Sequence, residues 1–138
     1  MRKILIVGAG TAGLHLAHGL ARFDYDVTVI NGSSSGEIRA SRPSITQFTL
    51  PSALAYEEAA GLAMWEHVAP RITGTNLHLH PPGAEPVTVS APFDAYGVSV
   101  DRREKMADWL EAFEDRGGKV VIHGVTVTDL DYFSRMFD

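Results

Sequence analysis

The feature that most constrains this chain stands at its start. An apolar run, Ile4-Leu5-Ile6-Val7, feeds into Gly8-Ala9-Gly10-Thr11-Ala12-Gly13 and then into a helical pattern. Three glycines at this spacing between a strand and a helix answer three geometric demands. Gly8 lets the strand turn sharply, Gly10 lets backbone approach a pyrophosphate, and Gly13 lets the helix pack close to the strand. The unsatisfied amides of the first helical turn, which includes Thr11 and Ala12, then face an anion that the helix dipole also favours.

Glycines at such spacing also occur in ordinary loops, so the flanking sequence decides. The run before them is uninterrupted, as suits a strand buried on both faces. After them Leu14, Ala17, Leu20 and Ala21 fall along one side of a helix, which leaves His15 and His18 on its exposed side. Val27-Thr28-Val29-Ile30 completes a strand-helix-strand unit of about 30 residues. The expected class is therefore α/β, with a Rossmann-like βαβ core.

An acidic residue about 20 positions past the glycines normally takes the ribose hydroxyls. Here the second strand ends Ile30-Asn31-Gly32. Asn31 can bond a hydroxyl through its amide but carries no charge, and no arginine sits immediately beside it to receive a 2′-phosphate. The pattern disfavours an NAD- or NADP-specific site relative to FAD held by contacts spread along the chain. An NAD(P)-dependent oxidoreductase is the rival enzyme reading, and a non-catalytic nucleotide-binding remnant is the rival outside catalysis.

Composition closes other routes. The length of 138 residues suits one domain with a substantial core, and a 45% hydrophobic content argues against disorder. A formal net charge of −5 without a basic cluster argues against nucleic acid. The absence of cysteine excludes disulfides, thiolate ligands and a cysteine nucleophile, and fits a cytoplasmic protein. Gly8 and Gly10 interrupt the first apolar run, so it is neither a signal sequence nor a membrane span.

Further along, residues 31–43 read as a polar loop with at most a short helical turn. Pro51-Ser52 opens a helix with Ser52 as N-cap, ending near Gly61, and residues 64–68 could add a turn. Leu77 to His80 and Val87 to Ser90 alternate around a six-residue Pro/Gly loop and predict a β-hairpin, with Tyr96 to Val100 as a third strand. Asp101 caps a helix whose Met106, Trp109, Leu110 and Phe113 share a face, closed by Gly117-Gly118. Lys119 to Ile122 is another strand and residues 129–138 a short helix. His78 and His80 share one side of a strand, but no third ligand accompanies them, so no metal is expected. Ser33-Ser34-Ser35 lacks a nucleophile elbow, and Trp65 and Trp109 suit a core better than flavin stacking.

Several of these blocks together resemble the oxygenase component of the styrene/indole monooxygenase family: Gly8 to Leu16, Glu37-Ile38-Arg39-Ala40, Gly61 to Glu66, Val100-Asp101-Arg102-Arg103, and Glu114 to Lys119. The resemblance implies a two-component FAD-dependent monooxygenase. A separate flavin reductase would supply reduced FAD, and a flavin hydroperoxide would transfer one oxygen atom to an aromatic alkene or indole-like substrate. No side-chain acid or base is then needed, which fits the lack of a catalytic triad or carboxylate pair. By the same resemblance Gly8, Gly10, Thr11, Ala12, Gly13, Asn31, Arg39 and Arg103 would bind the cofactor, while Arg42, Pro43, Thr46 and Gln47 would line the flavin and substrate cavity. Residues 1–138 would be the N-terminal part of an FAD-binding domain, with 72–100 a β-rich insertion of the substrate side. The chain is expected to be a truncated portion of a longer enzyme, unable to turn over alone, and homodimerisation of the full-length protein stays open.

Overall fold

The Rossmann-like core forms around the strand with neighbours on both sides. In the computed structural model, which describes residues 2–43, 47–65 and 67–137, β2 (Asp26–Asn31) lies between β1 (Lys3–Val7) and β6 (Lys119–Ile122), and both pairings are parallel. Val27, Thr28, Val29 and Ile30 are all buried. β1 was expected to be covered on both faces, but in this sheet it is an edge strand and Val7 is 49% exposed. Burial of consecutive residues, and so of both faces, is realised instead in β2, where Thr28 is buried among Val27, Val29 and Ile30.

By contact the chain forms two compact units, Met1–Thr46 with Asp101–Asp138, and Gln47–Val100. In the first, α1 (Thr11–Ala21) connects β1 to β2, and α4 (Arg102–Asp115) leads into β6. The expected face of α4 is the buried one: Met106, Trp109, Leu110 and Phe113 are at most 5% exposed. The helix ends in paired bonds from Gly117 N–H to the Glu114 carbonyl and from Gly118 N–H to the Phe113 carbonyl, the Schellman arrangement. α2 (Ser35–Ala40) is a six-residue helix where a loop with at most a short helical turn was expected. Its capping box, Ser34 with Glu37, is legible as Ser-x-x-Glu. α5 (Val127–Phe133) starts before its expected position because Thr126 and Asp129 form a second capping box.

In the second unit, Leu50 rather than Ser52 occupies the N-cap of α3 (Pro51–Ala59). Pro51 then takes the first helical position, where its missing N–H costs nothing. The hairpin forms as β4 (Arg71–Leu79) against β5 (Val87–Ser99), paired down to Leu79 with Val87. Tyr96 to Ser99 is not a separate strand but the end of β5, which runs through Pro92 at an irregularity in the ladder. There the short β3 (Phe48–Thr49) pairs with Ser99 and Val98.

The sharpest departure from expectation is His18, which is 3% exposed. The buried stripe of α1 is Leu14, Ala17 and His18, because α4 covers that side. His18 Nε2 lies 2.9 Å from the Trp109 carbonyl and Nδ1 lies 3.1 Å from Arg116 Nη1. A carbonyl can only accept and a guanidinium can only donate, so Nε2 carries the proton and the ring is neutral. Burial pulls its pKa below the ordinary 6.5; the Trp109 carbonyl opposes this, and the charge of Arg116 adds to it. A depressed histidine pKa gives stability that is complete above the unfolded value and declines as pH falls beneath it. The melting temperature should therefore fall as the pH drops below 6.5. His18→Gln should flatten that slope, and an unchanged slope in the variant would remove His18 as its source.

Candidate dinucleotide-binding site

The glycine turn assigns its three glycines separate tasks. Gly8 has φ +104°, a left-handed-side conformation that disfavours side chains, and its N–H donates to the Ile30 carbonyl at 2.7 Å. A Cβ at Gly13 would overlap the Gly8 carbonyl oxygen and press on Ile6 Cγ2, so a bare α-carbon lets α1 abut β1. At Gly10 a Cβ would meet only Arg102 Nη2, at 3.9 Å. The backbone at Gly10 is therefore open on that side, with a guanidinium beside it.

Gly10 is also the N-cap of α1 and supplies no capping side chain. The first-turn amides of Thr11, Ala12 and Gly13 have no acceptor four residues back within the helix. Ala9 N–H, in contrast, donates to Asn31 Oδ1 at 3.1 Å. An open cradle, a row of N–H donors, a helix dipole and the nearby Arg102 guanidinium together suit a pyrophosphate. Arg102 was not singled out in the sequence, although the Asp101 cap fixes it as the first residue of α4.

Two arginines that were singled out are engaged elsewhere. Arg103 holds both carboxylate oxygens of its neighbour Asp101, with Nη2 2.6 Å from Oδ2, and donates from Nη1 to the Ser41 carbonyl at 2.9 Å. The pair raises the arginine pKa and lowers that of Asp101. Arg39, on α2, meets three carboxylates on α4: Glu104 at 3.1 Å, Glu111 at 2.6 Å, and Asp108. These acids recur at i, i+4 and i+7, so one face of α4 presents them together. Arg42 and Pro43 are exposed, Thr46 lies outside the described residues, and Gln47 belongs to the second unit, where its carbonyl accepts from Val100 N–H. Trp109 is fully buried, and His78 Nδ1 lies 2.9 Å from Thr88 Oγ1. Among the described residues no group of three or more His, Asp or Glu could hold a metal, and no helix is long and apolar enough to cross a membrane.

A family model, the pyridine nucleotide-disulphide oxidoreductases, matches residues 2–129. The chain belongs to that family. It is also similar to the styrene monooxygenase StyA of a Pseudomonas species, with 29% identity over 137 residues, which cover 99% of this chain and 32% of the relative. StyA of Pseudomonas fluorescens gives the same figures. The resemblance drawn from the sequence blocks thus holds along the chain, which spans about a third of the length of these relatives. Among solved structures, the flavin-dependent halogenase CmlS superposes with a TM-score of 0.68 at 22% identity, over 93% of this chain and 24% of that one. The myxobacterial halogenase CndH gives 0.64 at 22% identity, over 86% and 28%. The fold is the Rossmann-like FAD-binding fold, and FAD is the cofactor that goes with it in this family.

The ion cluster joining α2 to α4 has a pH signature. Hydrogen bonds from Arg39 first, and from Ser35 second, pull the Glu111 carboxyl from 4.5 to about 2. A depressed carboxylate stabilises the fold above its unfolded pKa, and that contribution fades as pH falls towards the folded value. The melting-temperature gap between wild type and Arg39→Gln should be widest near neutrality in low salt. It should close as pH falls from 4.5 towards 2, and it should narrow in high salt because the groups are partly exposed. A gap independent of both conditions would show that Arg39 acts through packing alone.

Proposed function

We propose that this chain is the FAD-holding part of the oxygenase component of a two-component monooxygenase acting on an aromatic alkene or indole-like compound. The observation that carries this reading is similarity to StyA over 99% of the chain, supported by a glycine turn with room for a pyrophosphate. In this reading the amides of Gly10, Thr11, Ala12 and Gly13 take the phosphate oxygens, Gly8 shapes the turn, and the Arg102 cation neutralises charge. Bound FAD, once reduced by a separate flavin reductase, supplies the oxygen-activating chemistry. The chain's own task is to bind and orient. By the resemblance to the oxygenase components, Arg42 and Pro43 are assigned to the flavin side, and residues 72–100 to the part that serves the substrate. No residue is assigned proton transfer. The name of the family keeps nicotinamide binding as the second reading.

Substitutions at two glycines separate cofactor access from folding. Gly10 has φ −85° and ψ 176°, which any residue adopts. Gly10→Val should keep a cooperative unfolding transition while weakening FAD binding by at least about tenfold, read by flavin fluorescence quenching. Gly13→Ala should instead lower the melting temperature sharply, because a methyl group meets the Gly8 carbonyl. FAD affinity unchanged in Gly10→Val would place the nucleotide elsewhere. The reading frame that carries this chain, supplied with reduced FAD and oxygen, should oxygenate styrene or indole. Saturable binding of NADH with none of FAD would reverse the ranking.

A further inference from the structure

We infer that Asn31 is a positioning residue that fixes the glycine turn and does not read the nucleotide's ribose. This rests on the proposed FAD site and deepens it. Position 31 ends β2, where an acidic residue would ordinarily reach the ribose hydroxyls. Its carboxamide is directed at the turn and the following loop. Oδ1 accepts the Ala9 N–H at 3.1 Å, and Nδ2 donates to the Ser33 carbonyl at 2.7 Å. One partner is a donor and the other an acceptor, so a single orientation of the amide satisfies both. Its backbone carbonyl takes the His123 N–H at 2.9 Å, just beyond β6. The residue therefore joins the turn, the loop into α2 and the neighbouring strand.

The chemistry explains why the residue is an amide. An aspartate at 31 could still accept from Ala9, but its second oxygen would face the Ser33 carbonyl, acceptor against acceptor. It would also add negative charge beside a turn that binds a diphosphate. The amide gives up a charged reader of the hydroxyls and gains a neutral clasp. Two consecutive turn amides, Gly8 and Ala9, are tied to Ile30 and Asn31. The anion is left to Gly10 and the first turn of α1. A site built this way is indifferent to the 2′-hydroxyl at position 31.

The test uses ADP and 2′-deoxy-ADP as probes of the adenosine half of the site, and hydrogen exchange at the Ala9 amide in ligand-free protein. Wild type should bind the two nucleotides within about twofold of each other. Asn31→Ala should weaken both by the same factor and speed exchange at Ala9. Asn31→Asp, nearly isosteric, keeps the Ala9 acceptor and should retain protection there even if the alanine variant folds poorly. A wild-type preference of about tenfold for ADP that vanishes in Asn31→Ala would overturn the inference, as would unchanged exchange at Ala9 in that variant. Should neither nucleotide bind, the FAD-site reading fails, while the Ala9 exchange rates still decide whether Asn31 holds the turn.

Discussion

The approach of α1 to the Gly8 carbonyl governs the rest of the first unit. A side chain at Gly13 would push the helix off β1, and every later contact depends on where the helix sits. Seated there, α1 turns Leu14, Ala17 and His18 towards α4, and its first-turn amides open at the tip of the sheet. The same placement that closes the core therefore leaves those amides open at the turn. Close packing at Gly13 and open backbone at Gly10 share one geometric cause.

Around that turn the charges are sorted by local pairing. Arg39 and Arg103 are strong donors, and each has carboxylates within reach on or beside α4. A guanidinium held by fixed carboxylates is already neutralised, so recruiting it to a diphosphate would leave those acids unpaired against the ligand's charge. Arg102, one residue earlier, stands next to Gly10. Neighbouring arginines at the head of one helix thus receive different tasks. Arg103 ties the C-cap of α2 through the Ser41 carbonyl, and Arg39 ties its last turn. α2 has only six residues and buries none of them, too short to persist by backbone bonds alone, so its capping box, its packing on α4 and these side-chain bonds act together.

Features governed by local periodicity and capping were legible in the sequence. The strand-helix-strand unit, the Asp101 cap, the apolar face of α4 and the hairpin each follow from residues close together in the chain. Both capping boxes were also written there, as Ser34 with Glu37 and Thr126 with Asp129. What local pattern could not supply was long-range partnership. His18 looks exposed on its own helix; its burial comes from Trp109 and Arg116, more than ninety residues away. Arg39 reads as a ligand for phosphate until α4 brings Glu104, Asp108 and Glu111 to it. Asn31 reads as a poor substitute for an acid until Ala9 and Ser33 occupy its amide.

The second unit enters the chain between α2 and α4 as one continuous stretch. Its two ends are joined to each other: Val100 N–H donates to the Gln47 carbonyl at 2.8 Å, and Phe48 pairs with Ser99. For the first unit, the inserted stretch is therefore equivalent to a closed loop whose termini lie side by side. The entropic cost of closing a loop grows only slowly with its length, and paired ends remove most of what remains. The crossover from β2 through α4 to β6 can thus carry a large β-rich segment without disturbing the parallel register of β2 and β6. Such an arrangement lets the cofactor-binding core stay constant while the inserted strands vary.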